Sequence, residues 1–367
     1  WAHLMEGNKL SDMWTTFRRM MLQLPWSVPS GLRGIWLIFW VICMAAVWYF
    51  LRADISFGDL SVNKVVTAIV GTGLTGTILT WLMTNFLPGK VSSSFVDVVR
   101  YLDTSPRSYK VRKAIRGGMI DMLQGLHDKD RYQRIIVVAH SLGAYIAYDG
   151  ILHLWTKMNQ EHCAQQTGEI NSEIRQQLEI EAGALLKGSK TDLTDFRDGQ
   201  RKLWQEIRKL GNPWLITDFI TVGTPMYMAD QLMTRNRADF DSKISLRQIA
   251  TCPPQPDLVG PTLGKTLYTY PYNGSSVIYH AAPFAVVRWT NMWFPAALGF
   301  FGDWFGGPLQ FLFGNGILDV PLSGNRPKRY LPALAHSLYF RFPSDESANS
   351  VTTVLHDAMD LNSKSWL

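Results

Sequence analysis

The sequence predicts an α/β protein, a mostly parallel sheet with flanking helices, preceded by an N-terminal two-helix transmembrane hairpin. Three observations carry that expectation. Residues 134–147 (RIIVVAHSLGAYIA) read as a short buried strand that breaks at a serine and resumes as a small-residue helix. Further apolar runs follow it, separated by stretches of helical spacing, the alternation expected of strands joined by crossover helices. Ahead of them, residues 35–51 and 65–87 carry no charge, and each is long enough to cross a bilayer, the first only just.

The expected organisation is an N-terminal segment at 1–33 that counts toward the core, the hairpin at 34–88, and an α/β domain at 89–367. Trp36, Trp40, Trp48, Tyr49 and Trp81 lie near the ends of the two spans, where aromatic side chains sit at the headgroup level. About thirty residues precede the first span and no small-residue cleavage pattern follows it, so neither run reads as a signal peptide. The connecting loop balances Arg52 and Lys64 against Asp54 and Asp59, whereas the outer flanks carry Lys9, Arg18, Arg19, Arg33, Lys90 and Arg100. That bias puts the bulk of the chain in the cytoplasm. Ala68, Thr72 and Gly76 recur at four-residue spacing and form a face suited to close helix packing.

After the hairpin, residues 95–102 form a short apolar segment, and Ile115, Met119, Met122, Leu123 and Leu126 give 111–127 helical spacing. Residues 156–212 turn polar and read as an insertion with helices near 173–186 and 194–210. It is expected either as a cap over or beside the site or as a solvated excursion. A core strand at 215–225 ends in Gly223-Thr224-Pro225, a Pro-rich loop covers 251–261, a further strand covers 283–291, and a glycine-rich aromatic loop covers 299–316.

The 367 residues carry a net charge of +6, which suits an anionic membrane surface. The Lys and Arg residues are scattered and no recognition motif accompanies them, so nucleic acid is not an expected partner. Cys43, Cys163 and Cys252 have no metal or redox spacing, and neither a cofactor nor a disulfide framework is expected.

The break at Ser141 has the form of a nucleophile elbow, with Ala139 and Gly143 two residues to either side. Such a turn strains the serine backbone and should leave no room for bulk at its flanks. It also aims the first helix amides, here that of Leu142, at an oxygen that becomes negative during acyl transfer. An ordinary helix cap explains neither the small flanks nor the His140-Ser141 pair. A serine hydroxyl needs a base to take its proton and an acid to orient that base, in the chain order serine, acid, histidine. Of the eight histidines, only His336 and His356 fall late enough. His336 is the expected base, on a loop before an aromatic segment, and His356 is the runner-up, on a closing helix. Asp303, in a glycine-rich turn, is the expected acid, with Asp319 next and Asp218 and Asp230 as outsiders. A second oxyanion amide often follows an early His-Gly pair, and no such pair precedes the elbow. The expectation drawn from this is that a first strand and its loop lie ahead of Trp1.

With Ala139-His140-Ser141-Leu142-Gly143, Val222-Gly223-Thr224-Pro225, Arg288-Trp289-Thr290-Asn291 and His336 before Tyr339-Phe340, residues 91–342 resemble the lipase and esterase branch of the α/β-hydrolase superfamily. More narrowly, the chain looks like bacterial membrane-associated hydrolases with a transmembrane hairpin inserted early in the fold. The resemblance implies Ser141 as nucleophile, Asp303 as orienting acid, His336 as base and Leu142 as oxyanion donor. It also implies an ester or lipid substrate and a place in the bacterial inner membrane with the hydrolase domain cytoplasmic. Ala139 stands where that pattern has glycine. A membrane scaffold that keeps the fold without catalysis is the alternative, and oligomeric state is open.

Overall fold

The computed structural model describes residues 28, 33–52, 97–98, 101–102, 106–129, 131–163, 168–188, 193–256, 268–272, 275–299, 301–324, 327–331, 334–341 and 348–361. The chain is an α/β protein. Helix α1 (Arg33–Arg52) holds the first expected span, and the second expected span and the small-residue face lie outside the described residues. Among the described residues no helix is long and apolar enough to cross a membrane. Leu37, Ile38, Val41 and Met44 of α1 are exposed, and the Gly34 amide donates to Gly299 O at 3.0 Å.

Beyond it come α2 (Pro106–His127), β1 (Ile135–His140), α3 (Leu142–Cys163), α4 (Ser172–Leu186), α5 (Leu193–Lys209) and β2 (Ile216–Val222). The chain continues through α6 (Ala229–Leu232), α7 (Arg237–Ser245), β3 (Thr269–Tyr272), β4 (Ser275–Ile278) and β5 (Arg288–Trp293). It closes with α8 (Gln310–Phe313), β6 (Leu318–Pro321) and α9 (Val351–Met359). The main sheet has the order β1-β2-β5-β6 with every pairing parallel, and β3 and β4 form a separate antiparallel pair. Parallel strands need crossovers, and these put all four carboxyl ends on one side. His140, Val222, Trp293 and Pro321 therefore share an edge, where the site lies.

Strand β2 is buried along its whole length, as an apolar strand covered on both faces should be. Phe284, Trp289 and Phe313 pack against Tyr148 of α3, and Phe219 packs against Phe284 and Trp289, with ring centroids 4.8–6.3 Å apart. In the apolar segment 95–102, residues 97–98 and 101–102 are helical, and Val98, Tyr101 and Leu102 are buried in the core.

The described helices of the 156–212 insertion are not a solvated excursion, since they pack into the core. Phe196, Gly199, Gln200, Leu203, Trp204 and Ile207 form the buried stripe of α5, at the three- and four-residue spacing of an amphipathic helix. Gln200 donates to Phe284 O (2.7 Å) and Val287 O (3.1 Å), which fastens α5 to the chain entering β5. Leu178 and Leu185 of α4 join the same core. The expected strand at 283–291 also begins later than its apolar run. Pro283–Ala285 is a 3-10 turn and β5 starts at Arg288, because proline with its fixed φ and missing N–H opens a turn more readily than it enters a ladder.

Candidate active site

Strand β1 ends at His140 and α3 begins at Leu142, so Ser141 alone makes the turn, and its φ of 55° lies in the left-handed region that side chains disfavour. Two hydrogen bonds hold it there, Ser141 N to Val222 O (3.1 Å) and Thr224 Oγ1 to Ser141 O (3.3 Å). The Gly-Thr-Pro turn after β2 therefore clamps the elbow. Ala139 is accommodated with its side chain buried. The tight flank expected at Gly143 is not seen, since a Cβ there would meet nothing within 4 Å.

His336 sits on a 3-10 turn, Ala335–Ser337. Ala335, Leu338 and Tyr339 anchor the turn in a satellite core with Val222, Met292, Phe294, Val351 and Val354. Asp303 follows a sharp reversal in which Ala297 and Phe301 bridge, and Gly302 passes with φ 149° against Pro295 O, a place no side chain fits. The Asp303 carboxylate is fully buried and accepts the Phe305 amide at 2.8 Å.

These loops bring three predicted residues together. His336 Nε2 lies 2.9 Å from Ser141 Oγ, and His336 Nδ1 lies 3.1 Å from each Asp303 oxygen. A carboxylate only accepts, so Nδ1 carries the proton and Nε2 receives the serine hydroxyl. Leu142 stands in the first turn of α3, where amides have no acceptor within the helix, and Ser141 and Ala144 already donate elsewhere. Among the described residues β1 pairs with β2 alone. The expected origin of a second oxyanion amide, ahead of Trp1, falls outside them.

The other candidates lie elsewhere. Asp319 accepts Asn291 Nδ2 (2.7 Å) and the Leu309 and Gln310 amides (both 2.9 Å to Oδ2), so it caps α8, and burial raises its pKa. His356 is exposed on α9 beside Asp357. Asp218 pairs with Arg288 at 2.7 Å, as the register that sets these two opposite each other requires, at the start of β5. Asp230, half-buried in α6, has no described contact with His336.

Sequence reasoning missed three contributors. His140 places Nε2 3.1 Å from His336 O and its ring 4.6 Å from the His336 ring. Burial, then the neighbouring imidazole, lowers its pKa from 6.5 to about 4. Phe305 also packs against His336, with ring centroids 4.6 Å apart. The Tyr339 hydroxyl reaches Asp303 Oδ2 at 2.5 Å. Only the His-Ser pair and the aromatic segment after His336 hinted at them.

Among the described residues no cluster of His, Cys, Asp or Glu could hold a metal ion. Comparison with family models, curated proteins and solved structures finds no match to this chain. The fold class and the site geometry therefore stand on the chain's own residues.

Proposed function

We propose that this protein is a serine hydrolase of the α/β-hydrolase type that cleaves a carboxylic ester through an acyl-enzyme at Ser141. The observation that carries the reading is the continuous hydrogen-bonded line from Ser141 Oγ through His336 to Asp303. An uninvolved helix cap would have no reason to face an imidazole oriented by a buried carboxylate. In the proposed reaction the Ser141 oxygen adds to the ester carbonyl carbon while His336 Nε2 takes its proton. The tetrahedral oxyanion faces the Leu142 amide. Its collapse breaks the bond to the alcohol, which leaves with the proton returned by His336. Water then repeats the sequence on the acyl-serine, activated by the same imidazole. Asp303 keeps the imidazole in the productive tautomer and stabilises its charged form.

The sequence adds a location. Two uncharged runs with basic outer flanks support residence in a bacterial inner membrane, with the site on the cytoplasmic side and a lipid ester within reach. A fluorophosphonate probe tests the chemistry on the full chain in detergent. Ser141 should be labelled and Ser141→Ala should not. A folded protein that takes no label would favour the scaffold reading. A tag placed between Arg52 and Lys64 should react only from outside the cytoplasmic membrane, and labelling from inside refutes the topology.

A further inference from the structure

We propose that Tyr339 is a positioning residue of the Ser141 site, which fixes the Asp303 carboxylate against His336 Nδ1. The proposal rests on the serine-hydrolase reading above. It starts from the direction of one proton. The Phe294 amide donates to the Tyr339 oxygen at 3.0 Å. The phenol proton is thereby left for Asp303 Oδ2, 2.5 Å away. Ionised donors or acceptors shorten hydrogen bonds into this range. Tyr145, Tyr148 and Tyr227 donate to main-chain carbonyls, while Tyr101 donates to the Asp149 carboxylate at a longer 2.9 Å.

The surroundings leave space for this contact and little else. A Cβ on Gly223 would come 2.7 Å from Tyr339 Cζ and 2.9 Å from Asp303 Oδ2. A Cβ on Gly306 would come 3.0 Å from the same oxygen and 3.1 Å from the Tyr339 hydroxyl. Two positions without side chains thus flank the phenol and the carboxylate. The ring stacks on Phe294 with centroids 4.8 Å apart and is fully buried. Burial, with Asp303 nearby, holds the hydroxyl pKa well above 10, so Tyr339 stays a donor wherever the enzyme would work.

Two donors besides His336 then share the carboxylate, the Phe305 amide and Tyr339. With one on each oxygen, they hold the carboxylate where both oxygens lie 3.1 Å from His336 Nδ1.

The test compares wild type, Tyr339→Phe and the full-length protein with 3-fluorotyrosine at 339, whose hydroxyl is a stronger donor of nearly the same size. Two readouts are taken: the rate of fluorophosphonate labelling of Ser141, and the far-downfield NMR signal of the His336 Nδ1 proton. Tyr339→Phe should slow labelling about tenfold and move the Nδ1 signal, and the fluorinated protein should keep the wild-type rate and move the signal the opposite way. A signal unmoved in the fluorinated protein, or moved in the same direction by both changes, overturns the proposal even if Tyr339→Phe is too unstable to study. A wild type that takes no label while the Nδ1 signal moves as stated overturns the hydrolase reading and leaves the positioning of Asp303 by Tyr339 in place.

Discussion

Acid should loosen this protein through His140 before it protonates the carboxylates. The His140 ring is wedged between His336, Tyr339 and Phe340, with centroids 4.6, 5.5 and 5.7 Å away. Its Nε2 must donate to His336 O, because a carbonyl cannot. A second proton would have to enter at Nδ1, in a largely buried ring beside another imidazole, and the folded-state pKa accordingly falls from 6.5 to about 4. The folded pKa is depressed, so the stabilisation is fully present above 6.5 and drains away as pH drops toward 4, where the unfolded chain takes a proton that the folded chain refuses. At about 1.4 kcal/mol per tenfold difference in proton affinity, that window is worth about 3 kcal/mol. The comparison is urea unfolding of wild type and His140→Gln, which keeps an amide donor and cannot titrate, at pH 7 and pH 4. Wild type should lose about 3 kcal/mol more than the variant between the two. Parallel losses would refute the reasoning and place the acid sensitivity elsewhere.

Two further outcomes follow from the same geometry. Asp303→Asn should leave the fold intact and reduce the rate about 10⁴-fold, while Asp319→Asn should change stability and leave the rate within a few-fold. Turnover of an activated ester decides this, and equal losses would sink the assignment. Arg288→Met should cost about 3 kcal/mol, since the guanidinium meets the buried Asp218 carboxylate at 2.7 and 2.8 Å and its loss leaves only Arg134, at 3.9 Å, as a cationic partner within ion-pair range among the described residues. Adding Asp218→Leu should restore most of that in urea midpoints, and a double variant no better than the single would show that the pair does not act as a unit.

What could be read in the sequence was what short-range chemistry encodes. The elbow was legible because a strand, a small-residue turn and a helix follow within a dozen positions, and Ser141 does carry the positive φ that such a turn requires. His336 and Asp303 were legible by chain order, and they lie within hydrogen-bond reach of one another. Helices α4 and α5 were foreseen almost to the residue, but their burial was misread. The many charges of α5 hid a stripe whose partner, the chain at 283–287, lies about eighty positions on. Composition cannot show a partner that distant. Tyr339 escaped for a similar reason, since its meaning depends on Gly223, Phe294, Asp303 and Gly306 meeting it in space. The tight packing predicted around Gly143 came from the motif, and a Cβ there meets nothing within 4 Å.

Ser141 and His336 stand 195 positions apart in the chain, and the turn that carries the imidazole is seated on residues of α9, near the end. During synthesis, β1 and β2 can emerge and pair long before that turn exists. Chains travel from the ribosome with the serine already bent into its elbow and nothing to take its proton. In the proposed hydrolase, a probe should label Ser141 only on nascent chains long enough to have released that turn and α9, readable on chains of graded length.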